Sequence, residues 1–279
     1  MLNKIKRVPL FTTPLAMFLL FILTTGCAPV SKIVPADYVD PVTMMEFVFI
    51  KGGSFEMGDH SQLTLRETPI HSVTVPDMAV GMYEVTFAQY DSFCEATGRK
   101  KPTDEEWGRG QRPVINITWH DANDFAKWLS SELSLNFNLP TEAQWEYFSR
   151  AGTNGNYWSG NKLPPNLANC RGCGSEWDDR MTAPVGSFKP NPWGLFDTAG
   201  NVAEWTLDDW QPGYEGAPTD GSAAKNASSN EKVYRGGAWN YPPKELKSAT
   251  RDWLNKDDRN NTVGFRLILT NMPVKEKKK

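Results

Sequence analysis

Histidine and cysteine are scarce in this chain, at three and four residues out of 279. A zinc centre needs several such ligands close together, and His60, His71 and His120 stand at no ligand spacing. An excess of one charge is missing too. Thirty basic residues against 33 acidic ones leave a net charge of −3, with no basic face, which argues against a nucleic-acid partner. Beyond residue 23 no apolar run is long enough to cross a bilayer. The composition excludes coiled-coil, collagen-like and disordered chains. Turn-forming and large flat residues are abundant instead, with 22 Gly, 20 Pro and 11 Trp. Such a chain turns often and packs tryptophans between irregular segments, with few long helices. With 39% apolar residues, its length suits one large globular domain or two small ones.

The N-terminus reads as an address. Lys4, Lys6 and Arg7 form a basic stretch, and Leu15 to Leu23 is an apolar segment too short for a comfortable membrane span. Thr24-Thr25-Gly26-Cys27 follows, and it resembles the lipobox of bacterial lipoproteins. That resemblance implies removal of residues 1–26 as a signal peptide and acylation of Cys27. The membrane is then a partner through a lipid anchor. Ala28 in place of Asp favours the outer membrane, facing the periplasm. Residues 27–43 are expected to form a tether, 44–272 a domain and 273–279 a basic tail.

Cys170 and Cys173 form a CxxC unit in a Gly-rich loop. As a zinc site it lacks two further ligands, and as a thioredoxin-type motif it lacks the βαβ context. It reads as a local disulfide that stiffens its loop, remote from any other site. Cys94 falls on the apolar side of a predicted helix and reads as a small buried hydrophobe.

Phe47–Ile50 and Ser54–Gly58, joined by Lys51-Gly52-Gly53, read as a hairpin. His71–Val75 alternates like a strand with one buried face. Thr86 with Gln89 forms a capping box that starts a helix running to Gly98. Asp121 is expected to cap a second helix, with Ala122, Phe125, Ala126, Leu129 and Leu133 buried. Thr141 with Gln144 starts a third. After Gly152 about eighty residues are expected to be loop. Val233–Trp239 and Val263–Leu269 read as short strands. The tryptophans, Trp119, Trp128, Trp145 and Trp205 among them, read as core.

A family pattern runs through these elements. Its pieces are Gly52-Gly53-Ser54-Phe55-Glu56-Met57-Gly58, Tyr83-Glu84-Val85-Thr86, Pro140-Thr141-Glu142-Ala143-Gln144-Trp145-Glu146-Tyr147, Gly200-Asn201-Val202-Ala203-Glu204-Trp205, Arg235-Gly236-Gly237-Ala238-Trp239 and Gly264-Phe265-Arg266. In this order, over roughly residues 44–270, the chain resembles the formylglycine-generating enzyme family, also called the sulfatase-modifying factor domain. The resemblance implies an α+β fold of the irregular C-type-lectin-like kind, low in regular secondary structure.

Asp197 and Glu204 stand seven apart across a turn containing Gly200, and hard oxygen ligands of this kind suit Ca²⁺. The resemblance implies a structural calcium ion held by the side chains of Asp197 and Glu204 and the carbonyls of Gly200 and Val202. It implies a weaker second site at Asn169 and the Cys170 carbonyl, with Asp178 or Asp179 as the acidic member. Arg251 and Arg266 are expected to reach carboxylates inside the core.

The family's oxidase binds copper through two cysteines just after the Arg-Gly-Gly strand, and soft thiolates suit Cu(I). Counting from Gly236-Gly237 places Tyr241 and Leu246 at those positions, with Ala238 in place of a serine. No cysteine follows Cys173. Copper and formylglycine formation are therefore not expected. Two function classes follow. One is an envelope binding or scaffold lipoprotein whose partner is an envelope protein or an extended peptide. The other is a divergent oxidoreductase, like the siderophore-maturing (pyoverdine-type) relatives that also lack the cysteine pair. Tyr241, Glu245 and Arg251 would then be its catalytic candidates, with Tyr as an acid, base or radical carrier and a buried Glu as a base.

Overall fold

The structure is a computed structural model and describes residues 35–59 and 64–270. Cys27, the leader and the basic tail lie outside the described residues. Eleven strands and three helices follow in chain order. They are β1 (Tyr38–Val39), β2 (Glu46–Ile50), β3 (Gly53–Met57), β4 (His71–Val75), β5 (Met78–Gly81), α1 (Phe87–Thr97), α2 (Trp119–Leu133), β6 (Asn136–Asn138), α3 (Glu142–Arg150), β7 (Ala203–Asp209), β8 (Glu231–Arg235), β9 (Arg251–Asn255), β10 (Val263–Gly264) and β11 (Ile268–Thr270). Three sheets result, in the orders β1-β2-β5-β11-β6, β10-β7-β8-β9 and β3-β4. The fold is α+β and irregular.

Each helix starts at a threonine whose hydroxyl accepts the N3 amide while the N3 side chain returns the bond. The boxes are Thr86/Gln89, Thr118/Asp121 and Thr141/Gln144. The second corrects the sequence reading, because Asp121 is the N3 partner and Thr118 the cap. α1 ends at Gly98 in the left-handed region, where a missing Cβ removes the steric penalty. Cys94 is buried on its inner face.

The expected hairpin over Phe47–Gly58 does not form. β2 pairs with β5 and β3 pairs with β4, so the Lys51-Gly52 step carries the chain between two sheets. A Cβ on Gly52 would lie 2.4 Å from the Val75 carbonyl oxygen, so the step requires glycine. The tether is shorter than expected. Tyr38 and Val39 pair with Phe47 and Glu46, and Asp40 is buried, so residues from 35 onward belong to the folded body.

The five-stranded sheet is covered on both faces. Phe47, Ala79 and Leu269 face a core with α1 and α2 that includes Phe93, Phe125 and Phe265. Val48, Val80 and Ile268 face a second core with Trp145, Phe148 and Leu195. Trp145 and Trp205 are fully buried, and Trp119 and Trp128 pack at the edge of the first core. β7 was expected as loop. It reads Ala-Glu-Trp-Thr-Leu-Asp-Asp, and its carboxylates Glu204 and Asp208 are buried as thoroughly as its apolar residues. Period-2 alternation therefore never appears. The expected strand Val263–Leu269 divides between β10 and β11, in different sheets, where Arg266 turns inward.

Candidate functional site

The glycine pair after β8 shapes one wall of a shallow crevice. Gly237 has φ +68°, and a Cβ there would come within 2.7 Å of Leu246 and 2.8 Å of the Glu245 carbonyl oxygen. The chain then runs through Ala238, fully buried where the pattern has serine, to Tyr241 and a short 3-10 turn at Pro243–Leu246. Tyr234, Tyr241, Glu245 and Arg251 line the crevice.

Tyr241 is half-buried, with its hydroxyl 3.3 Å from that of Tyr234. Burial, with Tyr241 alongside, pushes the Tyr234 phenol well above its ordinary range, so it stays neutral. Leu246 is 1% exposed and packs with Tyr157, Ala168, Ala199 and the Cys170–Cys173 disulfide, with Tyr241 against the same cluster. The Arg171 amide donates to the Tyr241 carbonyl at 3.0 Å. The CxxC loop therefore abuts the crevice, although sequence separation suggested a remote place.

The other two candidates part company. The Glu245 side chain is 43% exposed and meets only Lys244, at 3.6 Å, so the burial that a tuned base requires is absent. Arg251 is buried and forks onto Glu142, Nε to Oε1 at 2.6 Å and Nη2 to Oε2 at 2.7 Å. Its remaining nitrogen donates to the carbonyls of Arg66 and Gln211, at 3.0 Å each. It joins loops around α3 and holds no group ready for chemistry. Arg235 and Arg150 likewise converge on Glu146. Burial opposes charge on Glu146, but the two arginines more than offset it and its pKa is lowered.

The turn Asp197–Glu204 is tightly determined. Gly200 at φ +83° brings its backbone so close to Asn169 that a Cβ would stand 2.4 Å from that carbonyl oxygen. Arg266 lies against Glu204, Nε to Oε2 and Nη2 to Oε1 at 2.7 Å each, and the Trp145 indole donates to Oε2 at 2.7 Å. A guanidinium thus occupies the place of a cation, and the carboxylate's acceptor positions are filled. Asp197 accepts from the Gly186 amide, and burial raises its pKa to about 6. Around the weaker site, Asn169 donates to Met181 and accepts from Ser175. Asp178 accepts the amides of Gly172 and Gly174, and Asp179 is exposed. Among the described residues no three His, Cys, Asp or Glu side chains are grouped to hold a metal ion. The side chains of Asp197, Glu204, Asn169 and Asp178 are thus engaged by protein groups in this arrangement.

Sequence reasoning missed Glu84. It is 1% exposed, accepts from Asn201 at 2.6 Å and from the Val202 amide at 3.0 Å, and ties the chain before α1 to this turn. Burial, then Asp197 and Glu204, raise its pKa well above the carboxylate range. Its place in the Tyr83-Glu84-Val85-Thr86 motif was visible, but nothing in that string says which turn it reaches.

Fold and crevice together define an irregular α+β domain built around an Arg-Gly-Gly turn, a class with known members. The model of the sulfatase-modifying factor enzyme 1-like domain matches residues 35–271, and the chain belongs to that family. It is 27% identical to the formylglycine-generating enzyme of Streptomyces coelicolor, over 86% of this chain and 94% of that protein. It is 31% identical to serine/threonine-protein kinase pkn1 of Chlamydia caviae, over 79% of this chain but 37% of the kinase. The chain thus spans under two fifths of that relative's length. Among solved structures, PvdO from Pseudomonas aeruginosa matches with a TM-score of 0.78 and 30% identity, covering 85% of this chain and 98% of that one.

Proposed function

We propose that this chain is a lipid-anchored envelope protein whose domain binds a partner and does not convert cysteine to formylglycine. The observation that carries the reading is the apolar plug at the copper position. Leu246 is buried against the disulfide, and Tyr241 closes the other side. Neither side chain offers a thiolate, and soft thiolates are what a Cu(I) site needs. The crevice and its loop-rich rim remain as a surface for an envelope protein or extended peptide.

A second reading is a cysteine-independent oxidation of the kind found among siderophore-maturing members of the family. The contact between the Tyr241 and Tyr234 hydroxyls and the likeness to PvdO favour it.

The test incubates the full chain with a Cys-x-Pro-x-Arg peptide and copper, with and without a reductant that opens the disulfide. No change in peptide mass is expected. A loss of about 18 Da at the cysteine, the change from a CH₂SH group to an aldehyde, refutes the binding-module reading. If it appears and is lost in a C170S/C173S variant, Cys170 and Cys173 supply the thiols. The anchor is tested separately, since C27S should move the protein from the membrane to the soluble periplasmic fraction. Unchanged fractionation refutes the anchor.

A further inference from the structure

A second cavity lies away from the Tyr241 crevice and shares only Arg251 with it. It opens between the first turn of α3, the end of β7 and the loop over residues 211–225, with a volume of about 200 Å³. That is room for a compact ligand of roughly eight non-hydrogen atoms, by comparison with an engineered apolar cavity of about 150 Å³ that takes benzene. Met57, Ala143, Ala217 and Pro218 make its apolar side.

The polar side is unbalanced. Asp208 is 4% exposed, and its oxygens accept the backbone amides of Glu142 at 2.7 Å and Ala224 at 2.8 Å. Among the described residues no cationic side chain stands within ion-pair distance of it. The cations in the wall are engaged elsewhere. Arg251 is forked onto Glu142, and Lys225, exposed at the rim, donates to the Leu207 carbonyl at 3.4 Å. Burial, reinforced by the Glu142 charge, raises the Asp208 pKa to about 7, as befits a carboxyl without a counter-ion. His71 adds a second acceptor in search of a donor. Its Nδ1 lies 3.1 Å from the Pro69 carbonyl, so that nitrogen carries the proton, and Nε2 is buried with no partner among the described residues. The Tyr214 ring, 4.9 Å from the imidazole, completes an aromatic wall.

We infer that this cavity is a binding site for a small organic amine, its apolar body against Met57, Ala143, Ala217 and Pro218 and its ammonium group on Asp208. The ligand supplies the counter-charge that Asp208 lacks. Buried carboxyls beside an apolar pocket recur at ligand sites because a paired charge is worth more where water is excluded. The inference stands whichever reading of the crevice holds.

The test is calorimetric titration of the full chain in detergent with benzylamine, benzyl alcohol and benzoate. Benzylamine is expected to bind at least tenfold more tightly than benzyl alcohol, and benzoate not at all. D208N should erase the preference for the amine while benzyl alcohol binding persists. A217F, which fills the cavity from the covering loop without touching the carboxyl, should abolish binding of both, and it serves as the test if D208N fails to fold. Preference for benzoate, no binding of benzylamine at millimolar concentration, or benzylamine binding unchanged in either variant overturns the inference.

Discussion

Replacing Arg266 should cost far more stability than replacing the glutamate it holds. Arg266 and Glu204 are both fully buried. Around them stand two further buried carboxyl groups, Glu84 and Asp197, which act on Arg266 from the same side. R266M keeps most of the side-chain volume but leaves three buried carboxyl groups, Glu204 and Asp197 among them as carboxylates, with no guanidinium. It also strips the carbonyls of Gly81 and Phe196 of their donor, at 3.1 and 2.8 Å. Breaking a buried pair by removing one partner costs about 3–5 kcal/mol. Against a typical total of about 5–15 kcal/mol, that brings the protein near its unfolding threshold. E204Q removes one charge, leaves the guanidinium facing the Asp197 carboxylate with the Glu84 carboxyl beside it, and can still accept from Trp145. Its cost should be that of weakened hydrogen bonds, about 1–3 kcal/mol. Denaturant unfolding of both variants, read as midpoints at matched slopes, gives the comparison. If E204Q is as damaging as R266M, the three-carboxyl account is wrong.

Asp208 sets a pH dependence. Burial raises its folded pKa to about 7 from the ordinary 3.8, so the folded state binds more protons between those limits and stability falls as pH rises through them. Glu142 and Arg251 face the same carboxyl, and the D208N variant isolates its share: the decline in melting temperature from pH 4 to 7 should be shallower in D208N than in the native chain, and equal slopes refute the assignment. Calcium should leave the melting temperature unchanged, because Glu204 is already saturated by Arg266 and Trp145. A rise with Ca²⁺ that EDTA reverses and E204Q abolishes would restore the ion.

Local signals were legible wherever a residue's structure depends on its neighbours in sequence. Thr86/Gln89 and Thr141/Gln144 announced two helix starts, because a capping box is closed within four residues. The strand His71–Val75 showed its alternation because one side faces solvent. The hairpin failed because Phe47–Ile50 and Ser54–Gly58 look like partners in the string, while β2 pairs with β5 across the Gly52 step and β3 pairs with β4. β7 was hidden by its own carboxylates, which read as solvated until Arg266 and the amides of Glu142 and Ala224 are placed around them. The same blindness hid the amine pocket. Asp208 becomes notable only once its lack of a counter-ion is known, and a sequence does not show which charges fail to meet.

The apolar plug formed by Tyr241 and Leu246 is more than two substitutions. Leu246 fits because Gly237 has no Cβ, since one there would stand 2.7 Å from a Leu246 methyl. It is closed from behind by the disulfide, Tyr157 and Ala199. The Tyr157 hydroxyl donates to the Pro243 carbonyl at 2.7 Å and so fixes the 3-10 turn that carries Leu246. On the other side the Tyr241 carbonyl takes the Arg171 amide, tying the CxxC loop to the crevice. Two thiols in place of Tyr241 and Leu246 would leave a cavity under the turn and the buried Tyr234 hydroxyl without its neighbour. Each loss costs on the order of 1–3 kcal/mol. The disulfide, which the sequence read as a remote stiffener, is thus part of the packing around Leu246 and Tyr241. It leaves this region of the fold organised by apolar contact.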